Sequence, residues 1–144
     1  MKTHFLTVLS LVFLSNTYGQ STFNKLNAQN RVIDETLGWS VSIYEDFAVS
    51  GAPHFSIYSP NDTIIDAGAV YVFKRSANGT WTQSQRIVNP NPKEFDWFGT
   101  DVKIHGDYLA IGMNGFDEDE NDKSSFKRTG AVLIYKKDKG GIFS

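Results

Sequence analysis

Apolar and polar residues alternate one by one along several short stretches of this chain. Val41 and Ile43 alternate with Ser40, Ser42 and Tyr44, the period-2 pattern of a strand whose two faces meet different surroundings. Glu45-Asp46 predicts a tight turn, and 47–50 a second strand. The stretch 53–67, carrying Pro60, Asn61 and Asp62, reads as one long loop. Residues 69–73 are continuously apolar, which suits a strand covered on both faces. Asn78-Gly79 is the strongest hairpin signal, since a type I′ turn needs two residues that tolerate positive φ. Trp81–Ile87 then predicts a fourth, more polar strand. Beyond the first twenty residues no ten-residue stretch carries a helical period.

The same pattern occurs twice. Leu37-Gly38 through Gly51 aligns with Phe98-Gly99 through Gly112 at an offset of 61, with Gly, Val, Ile, Asp and Gly on identical positions. Gly68-Ala69-Val70-Tyr71-Val72-Phe73 aligns with Gly130-Ala131-Val132-Leu133-Ile134-Tyr135 at an offset of 62, one residue having entered the loop between. Each unit predicts four short antiparallel strands, so the fold class is all-β: tandem four-stranded β-propeller blades forming a partial propeller. The expected organisation is a leader over 1–19, an outer strand and linker over 20–36, and one blade over 37–97. A second blade over 98–144 ends just as its fourth strand begins. A sandwich would explain the strands but not the duplication. Residues 23–26 align with 84–87, which predicts an outer strand at the start of the mature chain with no blade of its own.

These units resemble FG-GAP repeats, the blades of the integrin alpha-subunit propeller and of many exported bacterial proteins. The signature is divided between them: the first unit has Leu37-Gly38 with Gly51-Ala52-Pro53, the second Phe98-Gly99 with Gly112-Met113-Asn114. The resemblance implies a propeller of about seven blades, so the remaining blades are expected in a longer chain.

Composition narrows the chemistry. Fourteen basic residues against sixteen acidic ones give a net charge of -2, which lacks the basic footprint of a nucleic-acid partner. Zero cysteines exclude disulfides and every thiolate-based site. Met1-Lys2-Thr3-His4 followed by an apolar stretch over 5–14 and small polar residues has the layout of a secretory signal. That stretch is shorter than the roughly 17–25 residues of a membrane span, so the expected product is secreted or displayed at the cell surface.

Candidate sites are few. The FG-GAP resemblance implies a cation loop between the second and third strands. In the second unit Asp117, Asp119 and Asn121 stand at alternate positions and are the candidate calcium ligands. Asp122 stands where that motif prefers glycine, and the segment reads equally as a solvated acidic loop. The first unit offers only Asp62 and Asp66, without the spacing. His54 and His105 read as turn residues, and Asp46 and Asp107 as turn aspartates bonding local backbone. Trp39 and Trp81 are expected to pack across strands, whereas Trp97, in the linker between units, is the candidate ligand-binding aromatic. No set of nucleophile, base and orienting group stands out, so the expectation is a non-enzyme. It would mediate surface adhesion by binding an extracellular protein or glycan. The alternative is an accessory propeller of an exported enzyme whose catalytic domain lies beyond Ser144.

Overall fold

A computed structural model describes residues 23–30, 33–116 and 129–144. The leader over 1–19 and the acidic segment with Asp117, Asp119 and Asn121 lie outside these residues. Nine strands follow in order: β1 Ser40–Tyr44, β2 Phe47–Ala52, β3 Ile57–Ser59, β4 Asp62–Ile64, β5 Ala69–Arg75, β6 Trp81–Ile87, β7 Phe98–His105, β8 Tyr108–Met113 and β9 Ala131–Lys136. Strands β1-β2-β5-β6 form one antiparallel meander and β7-β8-β9 another. Among the described residues there is no helix.

The duplication is exact enough to fix register. Val41 pairs with Ser50 and Ser50 with Tyr71; in the second sheet Val102 pairs with Ile111 and Ile111 with Leu133. Arg75 pairs with Trp81, and its counterpart Lys137 bridges to Phe143. Residues 142–144 therefore lie against the end of β9 as the start of β6 lies against β5.

Three local expectations need correcting. The stretch 53–67 is not an open loop: β3 and β4 pair across Pro60-Asn61. Tyr58, Asp62 and Thr63 are exposed, and the half-buried pair Ile57–Ile64 lies at the base of the hairpin, too short an apolar run to announce it. The Asn78-Gly79 turn is not type I′, because positive φ is confined to Gly79, at 85°. The Gly79 N–H donates to Ser76 O and the Ser76 N–H to Thr80 O, a three-residue loop closed by a left-handed glycine. Gly141, at φ 89°, repeats that loop between Asp138 and Ile142. Finally, Asp46 and Asp107 reach across the sheet instead of capping local backbone. Asp46 Oδ1 accepts from Arg75 Nη2 at 2.8 Å, and Asp107 Oδ1 lies 3.3 Å from Lys137 Nζ.

The two sheets stack face to face. Val49, Val70, Val72 and Ile87 of the first interdigitate with Val102, Ile104, Leu109 and Ile111 of the second in one buried cluster. Each such side chain contributes about 1.5–3 kcal/mol on burial. The opposite face of the first sheet buries Ala52, Ala69, Tyr71 and Phe73 beneath Ala28 and Phe55, with Leu26 packed alongside.

The outermost faces are open. Val102 and Ile104 are 3% and 2% exposed, yet their counterparts Val41 and Ile43 in the first unit are 71% and 65% exposed. Val70 and Val72 are fully buried, whereas Val132 and Ile134 in the second unit are 65% and 63% exposed. Equivalent side chains thus differ only in whether a neighbouring sheet covers them.

Backbone contact sets the spacing of the stack. A Cβ on Gly51 would lie 1.9 Å from the Gly99 carbonyl oxygen, and one on Gly99, at φ 92°, would lie 2.6 Å from the Ala69 oxygen. Ser40 Oγ donates to that Gly99 oxygen at 2.8 Å, and the Ile104 N–H donates to Ser42 Oγ at 3.2 Å. Phe98-Gly99 therefore seats on Gly51-Ala52-Pro53: the two complete halves of the divided signature meet at the one seam inside the chain. Gly51→Ala should destabilise by on the order of 3 kcal/mol in urea unfolding, because the two backbones must part. Its counterpart Gly112, whose added Cβ would meet nothing nearer than 3.7 Å, should tolerate alanine to within about 0.5 kcal/mol. Equal losses at both positions would show that contact between sheets is not the cause.

Candidate functional site

The linker entering the second sheet is bolted to the first. The N–H groups of Phe95, Trp97 and Phe98 donate to the carbonyls of Ile65, Asp66 and Ala67 at 2.9, 3.1 and 3.1 Å. Phe95 and Trp97 adopt φ of 60° and 53°, a conformation that costs a bulky residue roughly 1–3 kcal/mol. Asp34 and Thr36, their counterparts in the first unit, show 63° and 53°. The bend therefore belongs to the repeat, and the aromatic occupants belong to the second copy alone.

A buried acid sits inside each bend. Asp96 Oδ2 accepts from Asn89 Nδ2 and from the Lys93 N–H, both at 2.9 Å. Its counterpart Glu35 accepts from the Tyr71 hydroxyl at 2.8 Å. The sequence signal for this pair was present, an acid at offset 61 on both sides, but neither residue lies in an obvious catalytic or ligand pattern. Both are buried fasteners of the bend, Asp96 through local backbone and Asn89, Glu35 through the Tyr71 hydroxyl across the sheet.

Beside this linker, where the two sheets meet at one rim, lies a cleft of about 200 Å³. The first sheet and its loops contribute Trp39, Pro53 and His54, the linker Trp97, and the second sheet and its loops Thr100 and Asn114. Trp39 is 58% exposed and stands edge-on to the His54 ring at 5.5 Å between centroids. It does not pack across strands as expected from its place at the head of β1. His54 Nδ1 lies 3.2 Å from Asp66 Oδ2, and the Asp66 N–H donates to Ser56 Oγ. The Thr100 hydroxyl contacts the Trp97 carbonyl and, at 3.0 Å, Asn114 Oδ1. Two indoles beside an imidazole, an amide and a hydroxyl suit a single ring that stacks on one side and hydrogen-bonds at its edge.

Trp97, the aromatic singled out from sequence, lines this cleft half-buried. Trp39 reaches it through the β1–β2 register that sets Ser40 against Gly51, and the folding back of 53–67 brings Asp66 beside His54. His105 lies elsewhere, its ring 4.8 Å from that of Tyr44. Asp62 and Asp66 do not converge: Asp62 Oδ1 accepts from the Thr63 N–H while Asp66 faces His54. Among the described residues no three metal-ligating side chains cluster, and no helix is long and apolar enough to cross a membrane.

Residues 81–135 match the FG-GAP repeat family. The chain carries an FG-GAP repeat. No curated protein matches it. The matched stretch opens with β6, the outer strand of the first sheet, and closes in β9 of the second. The FG-GAP repeat, as a unit of sequence, is thus offset by one strand from the sheet as a unit of structure. The linker 88–97 from β6 to β7 crosses the seam and puts Trp97 at the rim.

The Glu35–Tyr71 fastener yields a pH dependence. Burial, reinforced by the hydrogen bond to Glu35, pushes the Tyr71 phenol up to about 12 from its usual 10.0. A raised phenol means that the folded chain holds this proton more tightly than the unfolded one. Its contribution is complete below pH 10 and is lost as pH rises towards 12, up to roughly 2–3 kcal/mol. Urea midpoints measured from pH 8 to 12 should fall steeply above pH 10, and Tyr71→Phe should flatten that fall. Half-buried Tyr135, whose phenol desolvation also raises, would retain the remainder.

Proposed function

We propose that this chain is an exported, non-catalytic FG-GAP propeller segment that binds an extracellular ligand, protein or glycan, at the rim of its sheet seam. The observation that carries this reading is the cleft of Trp39, His54, Trp97, Thr100 and Asn114. It combines aromatic faces with hydrogen-bonding edges, and the His54 ring on its wall is held from behind by Asp66. Ring-shaped groups fit such a lining best: a pyranose, or the ring of a proline or aromatic side chain at the tip of a partner loop. Export rests on the leader pattern over 1–19, and the absence of a catalytic role on the lack of any activated nucleophile in the sequence.

Intrinsic tryptophan fluorescence titrated against a panel of oligosaccharides and extracellular proteins would identify a binder, since two of the three tryptophans line the cleft. Trp39→Ala and Trp97→Ala should each weaken it at least about tenfold, the size of a lost stacking contact. A ligand bound equally well by both variants would overturn the assignment of this cleft.

A further inference from the structure

The two open ends of the structure are the same two surfaces that meet at its seam. At the seam Val70 and Val72 on the first sheet face Val102 and Ile104 on the second, all buried together. Repeat positions place Val41 and Ile43 where Val102 and Ile104 stand, and Val132 and Ile134 where Val70 and Val72 stand. One end thus presents the receiving half of that seam and the other end the inserting half.

We propose that a second copy of this chain docks head to tail, its Val41–Ile43 face against the Val132–Ile134 face of the first. Ala48 and Ser50 stand where the second unit has Leu109 and Ile111, leaving an apolar groove of about 330 Å³ bordered by Leu26, Leu37, Val41, Ile43 and Phe73. The opposite end carries Ile134 in the place of Val72, Tyr108 in the place of Phe47 and Ala110 in the place of Val49.

Gly112 points the same way. Its counterpart Gly51 must be glycine because Gly99 of the adjoining sheet touches it, whereas among the described residues nothing crowds Gly112. In the joint it would meet Gly38 of the second copy, the counterpart of Gly99, whose φ of 100° matches the 92° of Gly99.

Strand pairing completes the fit. Phe23 is 90% exposed, and 23–26 align with 84–87, the part of β6 that pairs with Val70, Tyr71 and Val72. Seated on β9, the second copy would set its Leu26 beside Val132 and its Asn24 beside Ile134. Residues 142–144 already occupy the other end of that edge. A joint between unlike faces is heterologous and propagates until a ring closes. Asp101 and Lys103 stand where Ser40 and Ser42 make the close internal contacts. The inner margin of the joint is therefore charged and wet, and association is weaker than the internal seam and dependent on concentration.

Sedimentation velocity of the whole chain from micromolar to several hundred micromolar tests this directly. The wild type should grow in mass beyond one chain as concentration rises. Val41→Glu with Ile43→Glu disables one end and Val132→Glu with Ile134→Glu the other; all four side chains are exposed, and circular dichroism verifies that both variants fold. Each variant alone should remain a monomer, and a one-to-one mixture should form a dimer and stop there, since one intact joint remains. A wild type that stays monomeric throughout, its faces left for solvent or for sheets of a longer polypeptide, overturns the proposal. So does either variant self-associating alone, which would mean that like faces pair.

Discussion

Where Gly51 lies against the carbonyl of Gly99, two sheets touch backbone to backbone, and the rest of the stack takes its spacing from that contact. A side chain at either position would hold the inner strands apart. Valine and isoleucine from facing sheets interdigitate only when the backbones lie close enough for both sets to reach a common layer. The same approach brings Phe98 alongside Gly68, where a Cβ would lie 2.2 Å from the Phe98 backbone nitrogen and oxygen. From there the linker can hydrogen-bond to Ile65, Asp66 and Ala67. The cleft at the rim is a consequence of this docking: its two walls come from different units and are held apart at a fixed distance by the glycines beneath.

Much of what the two units share is fastening. Asp46 with Arg75 and Asp107 with Lys137 tie the same turn to the same strand end. Glu35 and Asp96 are buried at the same bend, and the left-handed residues Asp34, Thr36, Phe95 and Trp97 recur in matched pairs. What the units do not share is concentrated at the rim. Thr36 gives way to Trp97, Trp39 to Thr100, Pro53 to Asn114 and His54 to Gly115. A seam uses the outgoing loops of one unit and the incoming linker of the next. Only the internal seam therefore joins Trp39 and His54 to Trp97. Divergence of a few loop residues on a conserved frame is enough to give one junction a chemistry that another copy of the same junction would lack.

Strand order, repeat length and the all-β architecture were legible from the sequence because they depend on periodicities of two and of about sixty, which survive substitution. The duplicated glycines were legible for the same reason. The hairpin of β3 and β4 was not: its strands are three residues long and carry a single half-buried pair, Ile57 with Ile64, too little to show a period. The pairing of His54 with Asp66 depends on that hairpin. Asp46 and Asp107 were visible as recurring turn residues, but their partners Arg75 and Lys137 lie a full strand away. Nothing in a turn motif says whether an aspartate bonds its own backbone or a cation across the sheet.

The amino-acid pattern by itself determined that this chain makes tandem antiparallel sheets of equal register, because alternation of apolar and polar positions dictates which side of a strand is buried. It also determined that Phe98-Gly99 and Gly51-Ala52-Pro53 are the complete halves of the signature. Only the tertiary structure decided that these halves belong to one contact, that Trp39 faces outward beside His54, and that Val41 and Val132 lie open while Val102 and Val70 do not. Burial of a sheet face is a property of its neighbour, and identical residues meet solvent or a core according to what stacks against them.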